Sequence, residues 1–454
     1  MRYAAGRPMS VPALPPGPTL AAWGRLPKPG CELVAEDLLR ASQGANLSRG
    51  LGRSYGDSSL PAAASDRVIA TRRANRILAF DGEAGVLRAE AGLSLVEINR
   101  LFMPRGWFTP VTPGTKFVTL GGMVSSDVHG KNHHVEGCFG EHVRALKMRL
   151  ADGSVVETTP TEEPELFWAT VGGMGLLGHV LEVEFTLKRI PSPWIFMESE
   201  RVGGIDEFLG ALNTAAPKWP MTVGWIDCLN GGKNLGRGML MAGRWAEPSE
   251  APAEPPPVPG AFAVPFDFPN FALNKYTASL FNIAYYWKQL PKRVTKVLSP
   301  EPFFYPLDAV HEWNRVYGSR GFTQYQCVIP RAAGAPAVRE FMLRLTKFGA
   351  ASPLCVIKDC GPEGRGVLSF PLEGTSIAVD MAVSPEIQRV VDELNAFVIE
   401  TGGRIYLTKD AFTTAADFRR MEPRLPRFEA ARAKYDPQRK LRSAQSVRLF
   451  GDRP

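Results

Sequence analysis

The chain has 454 residues, of which 44% are hydrophobic, so it can bury a large core and is expected to form more than one domain. Its 53 Lys and Arg against 46 Asp and Glu give a net charge of +7, spread along the chain, which favours anionic ligands or a membrane surface over a nucleic-acid-binding arm. The six cysteines contain no C-x-x-C pair, and the sequence has no signal-peptide h-region and no run of about 18 apolar residues. It therefore predicts reduced, mostly buried thiols, no spanning helix and a cytoplasmic location.

Residues 1–20 are interrupted by prolines and are predicted to form an N-terminal arm. The first glycine-rich stretch, Arg49–Asp57, reads R-G-L-G-R-S-Y-G-D. Its spacing is neither that of a Walker A loop nor that of a Rossmann turn. Gly50, Gly52 and Gly56 would leave main-chain N–H groups free to form an anion-binding concavity. An ordinary cluster of β-turns is the alternative interpretation.

Short strands and one helix surround the second glycine-rich stretch. Ser94 is the predicted N-cap of a helix whose apolar residues repeat at helical spacing and stop at Gly106. Asp152 and Gly153 predict a hairpin turn between two β-type runs. The predicted strands of this part cover residues 67–70, 77–81, 86–91, 143–150, 155–158 and 180–186.

The second and longest glycine-rich stretch, Gly114–His134, carries polar and titratable residues directly after its glycines. A ligand lying against these glycines would meet proton-handling side chains such as His129 and Lys131. A turn-rich loop with incidental histidines is the alternative interpretation. A third glycine cluster lies in residues 167–178. Three separated glycine-rich loops in one α+β segment indicate a long ligand, and a dinucleotide fits them better than a small metabolite does.

The motifs R-G-x-G-x-S-Y-G-D, P-G-T-x(4)-L-G-G-x(4)-D-V-H-G-K-N-H-H and G-G-M-G-x-L-G follow one another in an order that resembles the FAD domain of the vanillyl-alcohol-oxidase superfamily. Within it, the chain is most similar to the oxidative subunits of the decaprenylphosphoryl-β-D-ribose 2′-epimerases. The resemblance implies a two-lobed, PCMH-type FAD-binding domain over residues 21–190. The FAD-binding residues that it implies are Gly50, Gly52, Arg53, Ser54, Tyr55, Gly56, Asp57, Pro113, Gly114, Thr115, Thr119, Gly121, Gly122, Ser126, Asp127, His129, Gly130, Asn132, Gly173, Gly178, Val180 and Tyr406.

One position bears on how the flavin is held. Covalent members of the superfamily usually attach the flavin ring through a histidine of the first loop, in the pattern R-G-x-G-H-S. This chain has Arg53 there, and the comparison therefore implies dissociable, non-covalent FAD. Its pyrophosphate is expected at the main-chain N–H groups of residues 52–56, with Gly121 and Gly122 under the ring system and the adenosine toward the third loop.

From about residue 190, helix-then-strand units repeat beside further strands, which predicts a mostly antiparallel sheet with helices on one face. The protein is therefore predicted to be α+β, with a substrate or cap domain over residues 191–405 and a segment, 406–454, that returns to the FAD domain. One helix is predicted to start with Ser384 as N-cap and Pro385 as its first residue. The other helices are predicted over 206–215 and 337–348, and the strands over 221–229, 323–329, 354–358, 377–383 and 404–407.

Residues 247–304 are predicted to be a mobile insertion of the cap domain. Its proline-rich first part, 247–260, is typical of an exposed loop. The remainder, 262–304, is dense in aromatic residues followed by Lys and Arg. Such a segment would lie on an anionic bilayer or grip a lipid phosphate, or it packs as a lid on the cap domain. Both hold if the lid makes peripheral contact with the inner face of the membrane.

Oxidation of a secondary alcohol removes a hydride and a proton, so the site needs a base at the hydroxyl and a positive charge near the flavin. The resemblance implies that Lys409 is the active-site lysine and that His129 is a second candidate for base or orienter. Lys409 would act either as a base with a lowered pKa or as a charged stabiliser. No metal is expected, because the nearby histidines have no partners at zinc spacing. The substrate-binding residues that the resemblance implies are Lys131, Tyr305, Gln324, Gln326, Lys358 and Ser376.

The chain departs from its mycobacterial relatives on one strand, where they carry a cysteine and it has Ala378. Ser376 stands where the family has an amide side chain. The resemblance implies FAD-dependent oxidation of the 2-hydroxyl of a polyprenyl-phosphoryl ribose, the first half of an epimerisation to arabinose for cell-wall arabinan. An NAD(P)H-dependent short-chain reductase is the expected partner and second subunit. The alternatives are a soluble alditol or aldonolactone oxidase of the same superfamily and a flavoprotein-fold binding protein without catalysis.

Overall fold

The structure is a computed structural model that describes residues 18–257, 260–349 and 352–454. Residues 1–17 of the predicted N-terminal arm lie outside the described residues. Its last two predicted residues, Thr19 and Leu20, pair with Pro29 and Lys28 in a short antiparallel hairpin.

The first part of the chain holds short elements around two sheets. Its strands are β1 Thr19–Ala21, β2 Pro27–Pro29, β3 Glu32–Val34, β4 Leu47–Arg49, β5 Val68–Ala70, β6 Ile77–Asp81, β7 Val86–Glu90, β8 Trp107–Phe108, β9 Val143–Arg149, β10 Val155–Thr158, β11 His179–Thr186 and β12 Lys188–Arg189. Its helices are α1 Leu38–Ala41, α2 Leu95–Phe102, α3 Leu120–Ser125, α4 His133–Glu136 and α5 Pro164–Thr170.

The first sheet is parallel, in the order β3-β5-β4, and the second is antiparallel, in the order β10-β9-β11-β7-β6. The predicted hairpin at Asp152 and Gly153 is confirmed, because β9 and β10 pair with each other on either side of it. Helix α2 begins as predicted: the Ser94 hydroxyl accepts a hydrogen bond from the Glu97 N–H, and the Glu97 carboxylate accepts one from the Ser94 N–H. These elements enclose one continuous hydrophobic core.

The second part of the chain is built on a single large sheet. Its strands are β13 Ile195–Val202, β14 Met221–Ile226, β15 Gly238–Trp245, β16 Phe262–Ala263, β17 Arg293–Leu298, β18 Val310–His311, β19 Phe322–Pro330, β20 Cys355–Cys360, β21 Gly374–Ala382 and β22 Arg404–Ile405. Its helices are α6 Ile205–Ala215, α7 Lys275–Trp287, α8 Pro300–Phe304, α9 Gly334–Phe348, α10 Ile387–Glu400, α11 Ala415–Met421, α12 Leu425–Tyr435 and α13 Ala444–Phe450.

The large sheet has eight strands in the order β17-β13-β15-β14-β20-β21-β19-β22, and neighbouring strands are antiparallel. Helices α6, α9 and α10 pack against one of its faces over a second hydrophobic core. Tyr325, Cys327, Ile377 and Val379 point into this core. The predicted antiparallel sheet with helices on one face is therefore confirmed. Since side chains alternate along a strand, the residues between these four face the other side.

Several predicted boundaries differ from the structure by two or three residues, and local hydrogen bonds explain two of these differences. The strand predicted over 221–229 ends at Ile226, because the buried carboxylate of Asp227 accepts the N–H of Leu229 and starts a turn. The helix predicted from Ser384 begins at Ile387 with Glu386 as its N-cap, because the carbonyl of Ser384 accepts the Ile387 N–H in a preceding turn. Among the described residues, no helix combines the length and the apolar character that crossing a bilayer requires.

Candidate active site

The first glycine-rich loop lies between the second one and the turn that carries Lys409. A Cβ on Gly50 would overlap the Thr119 hydroxyl, and a Cβ on Gly56 would overlap the carbonyl oxygen of Asp410. The Tyr55 N–H donates to the carbonyl of Thr408 at 2.9 Å. Only glycine therefore allows the close approach that brings these three segments together.

Part of this loop presents unused main-chain donors. The N–H groups of residues 51–54 have no hydrogen-bond acceptor within the described part of the chain. Among the N–H groups of residues 52–56 that were predicted to meet the pyrophosphate, that of Tyr55 is already used by the carbonyl of Thr408. Free N–H groups in a turn form a concavity suited to an anion.

Two glycines of the second loop border open space. A Cβ on Gly114 would meet nothing within 4 Å, and a Cβ on Gly122 would meet only the Thr119 hydroxyl, at 3.3 Å. Thr119 caps helix α3 by accepting the Gly122 N–H at 3.4 Å, and the Gly121 N–H donates to the carbonyl of Ala91. No neighbouring protein atom requires a glycine at position 114 or 122. The open space beside these two glycines, together with the free N–H groups of the first loop, fits a bound FAD.

The third glycine cluster is filled mainly by the protein itself. A Cβ on Gly173 would overlap the carbonyl of Ala169, and a Cβ on Gly178 would lie 2.8 Å from Met148 Cε. Val180 is buried in the core on β11. The cluster adjoins α3, since the Met174 N–H donates to the carbonyl of Ser125 at 2.9 Å. Here the glycines serve backbone packing.

Several predicted cofactor residues have protein partners that hold the loops in place. Asp127 is buried, and its carboxylate accepts hydrogen bonds from the Gly140 N–H at 2.8 Å and from the hydroxyl of Ser369. Burial raises the pKa of Asp127 to about 6. The carbonyl of Ser126 accepts a hydrogen bond from the Tyr406 hydroxyl at 2.9 Å. The Tyr406 bond connects the end of α3 to the segment that follows β22, and the Ser369 bond connects it to the segment before β21.

Four more of these residues lie near the opening beside Gly114. Pro113 is partly exposed. The Thr115 hydroxyl donates to Asp308 at 2.7 Å, and the Asn132 amide donates to the carbonyl of Pro110 at 2.7 Å. A Cβ on Gly130 would lie 2.7 Å from the Asn132 amide oxygen.

Arg53 occupies the position where a covalent flavin histidine would stand. Its guanidinium lies 3.9 Å from the ring centre of Trp23 and 5.1 Å from that of Phe117. Burial lowers its pKa. Ser54, the next residue, accepts the Trp23 N–H through its carbonyl. Trp23 thus covers the first loop, a contact for which the sequence carried no signal.

The face of the large sheet opposite the helices meets the second loop. The Gln326 amide lies 3.1 Å from His129 Nε2 and 3.3 Å from the Ser376 hydroxyl. His129 Nδ1 is buried and has no hydrogen-bond partner among the described residues. Burial and the nearby charge of Lys358 lower the pKa of His129 well below its ordinary value. The imidazole is therefore neutral at pH 7 and has one unused ring nitrogen.

Lys409 lies half-buried in the turn after β22. Its Nζ is 3.6 Å from the ring centre of Tyr55. Burial lowers its pKa to about 7, although the charge of Asp380 opposes this shift in part. Asp380 accepts hydrogen bonds from the Gln324 amide at 2.6 Å and the Tyr317 hydroxyl at 3.1 Å, and burial raises its pKa. The structure therefore brings Lys409 and Gln324 together around one buried carboxylate.

Two predicted substrate residues lie at the edge of this region. Lys131 Nζ donates to the carbonyl of Phe304 at 3.1 Å, and burial, with a smaller effect of Lys358, lowers its pKa to about 7. The Tyr305 hydroxyl is hydrogen-bonded to Asn99 at 3.0 Å and to Thr112 at 2.6 Å. Tyr305 thus uses its hydroxyl to connect α8 with the FAD-binding part of the chain.

Sequence reasoning missed some of these residues. Asp380 follows Ser376 and Ala378 at alternate positions of β21, so strand periodicity would have placed all three on one face. Phe370 has no such signal, although its ring stacks on Tyr406 at 4.9 Å and lies 5.3 Å from His129. In the part of the chain that the structure describes, no group of His, Cys, Asp and Glu is arranged to hold a metal ion.

Glycine-lined loops with free N–H groups, next to buried proton-handling side chains, are the arrangement that a flavin-dependent oxidoreductase requires. The comparisons agree: residues 37–159 match the FAD binding domain family. The chain is 34% identical over 452 residues to the decaprenylphosphoryl-beta-D-ribose oxidase of Mycolicibacterium smegmatis, which covers 95% of this chain and 97% of that protein. The protein is thus an FAD-dependent oxidoreductase, and it belongs to the decaprenylphosphoryl-β-D-ribose oxidase family.

Two other relatives match a smaller part of the chain. The human delta(24)-sterol reductase is 30% identical over 131 residues, which cover 29% of this chain and 25% of that protein. A putative D-arabinono-1,4-lactone oxidase of Neurospora crassa is 29% identical over 118 residues, which cover 26% of this chain and 21% of that protein. These matches extend the similarity to other oxidoreductases. Each is too short to include both the FAD-binding part and the large sheet.

Proposed function

We propose that this protein oxidises the 2-hydroxyl of a polyprenyl-phosphoryl ribose to the 2-keto sugar. The observation that carries the proposal is a set of three half-buried lysines, Lys131, Lys358 and Lys409. None of them has a carboxylate within 4 Å in the described ranges. Partly desolvated cations without an ion-pair partner are costly, and an anionic ligand would compensate their charge. A phosphoryl sugar brings that charge, whereas a free alditol does not.

In this proposal, two side chains handle the reacting hydroxyl. When bound, FAD supplies the hydride acceptor. His129 accepts a hydrogen bond from the Gln326 amide at Nε2, so the proton of the neutral imidazole is on Nδ1, which would donate to the reacting hydroxyl and orient it. Burial lowers the pKa of Lys409 to about 7, so its neutral amine is present at pH 7 and would take the hydroxyl proton. The ammonium that results, favoured by the ring face of Tyr55, would hold the oxygen of the keto product. Lys131 and Lys358 would bind the phosphate.

The proposal includes non-covalent FAD. Arg53 has no nucleophilic atom that could attach the flavin ring, and its guanidinium lies against Trp23. Denaturation of the yellow protein should release the flavin into the supernatant. Colour that stays with the precipitate would contradict this part of the proposal.

The proposal also includes a second step on another protein. The keto sugar would pass to an NAD(P)H-dependent short-chain reductase, which completes the epimerisation to arabinose. We further propose that residues 191–405 form the substrate domain, that residues 406–454 return to the FAD domain of residues 21–190, and that the protein acts in the cytoplasm.

Anaerobic reduction of the flavin tests the proposal. A polyprenyl-phosphoryl ribose should bleach the absorbance of the bound flavin, and free alditols and aldonolactones should not. The alternative function, oxidation of a soluble alditol or aldonolactone, draws support from the similarity to the putative D-arabinono-1,4-lactone oxidase. Bleaching by a free alditol or aldonolactone, with none by the lipid-linked sugar, would favour that alternative.

A further inference from the structure

Exposed apolar side chains are concentrated in one segment of this protein. Of the 17 large hydrophobic side chains that are exposed in the described part of the chain, ten lie between Phe262 and Leu290. We call these ten side chains the aromatic surface: Phe262, Phe266, Phe268, Phe271, Tyr276, Leu280, Phe281, Ile283, Trp287 and Leu290. A cluster of this kind marks an interaction site, whereas single exposed apolar residues are common.

Helix α7 presents part of the aromatic surface as a continuous stripe. Tyr276, Leu280, Ile283 and Trp287 recur at helical spacing and therefore share one face. Tyr276 is 74% exposed and Leu280 is 70% exposed. The stripe is thus directed away from the protein's own core.

The opposite face of α7 is already packed. Ala278, Asn282 and Tyr286 are buried there. The Asn282 amide donates to the buried carboxylate of Asp227 at 2.9 Å. Because the helix is held on this side, its exposed stripe has no place to pack within the chain without breaking these contacts.

Positive charge surrounds the aromatic surface. Between residues 268 and 300 the sequence contains Lys and Arg but no Asp or Glu. Lys292 and Arg293 are neutralised by Glu207 at 2.9 Å and by Glu200 at 3.0 Å, respectively. The remaining cations of this segment, Lys275, Lys288 and Lys296, form no ion pair with any described residue. Aromatic and aliphatic side chains beside unpaired lysines complement an anionic bilayer, where apolar groups enter the interface and lysines meet the phosphates.

The aromatic surface also adjoins the candidate active site. The Phe268 N–H donates to the carbonyl of Arg315 at 3.0 Å. The same turn carries Tyr317, whose hydroxyl donates to Asp380 at 3.1 Å. A bilayer on the aromatic surface would therefore lie next to the turn that contacts Asp380, the buried carboxylate near Lys409.

We propose that the aromatic surface docks on an anionic phospholipid bilayer. The inserted groups are the exposed side chains of α7 together with those that flank it, and Lys275, Lys288 and Lys296 contact the headgroups. This docking does not depend on the substrate proposed above, because the surface and its charges exist without substrate.

Flotation with vesicles tests the docking, with the FAD-loaded protein and no substrate. Vesicles of phosphatidylcholine containing phosphatidylglycerol should carry the protein upward, and vesicles of phosphatidylcholine alone should carry much less. The double variant Leu280→Glu and Leu290→Glu should partition at least about tenfold more weakly, since it places two charges in the apolar interface. Raising the salt concentration should also weaken binding, because it screens the lysines.

Leu343→Glu provides the matched control, because Leu343 is an exposed leucine on α9, away from the aromatic surface. It should bind vesicles as the unchanged protein does, and both variants should keep their flavin and their far-UV circular dichroism. The proposal is overturned if the unchanged protein ignores anionic vesicles, if the double variant binds equally well, or if neutral vesicles bind as tightly. It is also overturned if the double variant only converts a dimer into a monomer, because the surface would then join two copies.

Discussion

Arg448, on helix α13, connects the first glycine-rich loop to the turn that carries Lys409. Its guanidinium donates to both carboxylate oxygens of Asp57, at 3.0 and 2.7 Å, and to Asp410 at 2.8 Å. Removing one partner of a buried ion pair costs about 3–5 kcal/mol, because a charge is left buried without compensation. Arg448→Met leaves two such carboxylates, so we expect the free energy of unfolding to fall by at least this amount.

Urea denaturation of the FAD-loaded protein, followed by circular dichroism, measures this loss. Because the first loop is then no longer tied to α13, the variant should also bind FAD more weakly. Arg389→Met is the matched control: Arg389 also contacts two carboxylates, Glu386 at 3.0 Å and Glu393 at 2.6 Å, but it is exposed on α10. Ion pairs of that kind contribute little, so stability should not change measurably. Equal losses in the two variants would refute the reasoning.

Three further predictions concern the candidate site. Lys409→Ala should keep the yellow colour but slow anaerobic bleaching by about 10²–10⁴-fold, which is the range for loss of a positioned catalytic group. Full activity of this variant would contradict the role of Lys409. Lys131 should bind a phosphate only while its amine is protonated, so KM should rise as the pH passes above about 7. Lys131→Arg should remove that rise, because arginine stays charged. A KM that does not change with pH in the unchanged protein would contradict this role. Ala378→Cys should introduce a thiol on the site face of β21, since Ala378 pairs with Gln326. A thiol reagent should label this variant, and the flavin of the unlabelled variant should still be bleached by substrate. A variant that resists labelling would contradict this placement.

The features that the sequence predicted well depend on neighbouring residues. The capping box of Ser94 and Glu97 and the hairpin at Asp152 and Gly153 each involve residues a few positions apart, so the sequence pattern contains the whole interaction. The glycine-rich loops were recognisable for the same reason.

The contacts that assemble the candidate site join distant parts of the chain and leave no local pattern. Arg448 and Asp57 are separated by 391 positions, and His129 and Gln326 by 197. Gly56 is constrained by the backbone of Asp410, which the sequence around the first loop does not reveal. The predicted start of α10 was wrong because Ser384 begins a turn and does not cap the helix, whose N-cap is Glu386.

The central claim is that the protein takes a hydride from C2 of a polyprenyl-phosphoryl ribose. Rapid-mixing measurement of flavin reduction, with substrate carrying deuterium at C2 or at C3, tests it most directly. We predict that deuterium at C2 slows bleaching several-fold and that deuterium at C3 has no effect. Bleaching that responds only to deuterium at C3, or no bleaching by this substrate at all, would contradict the account.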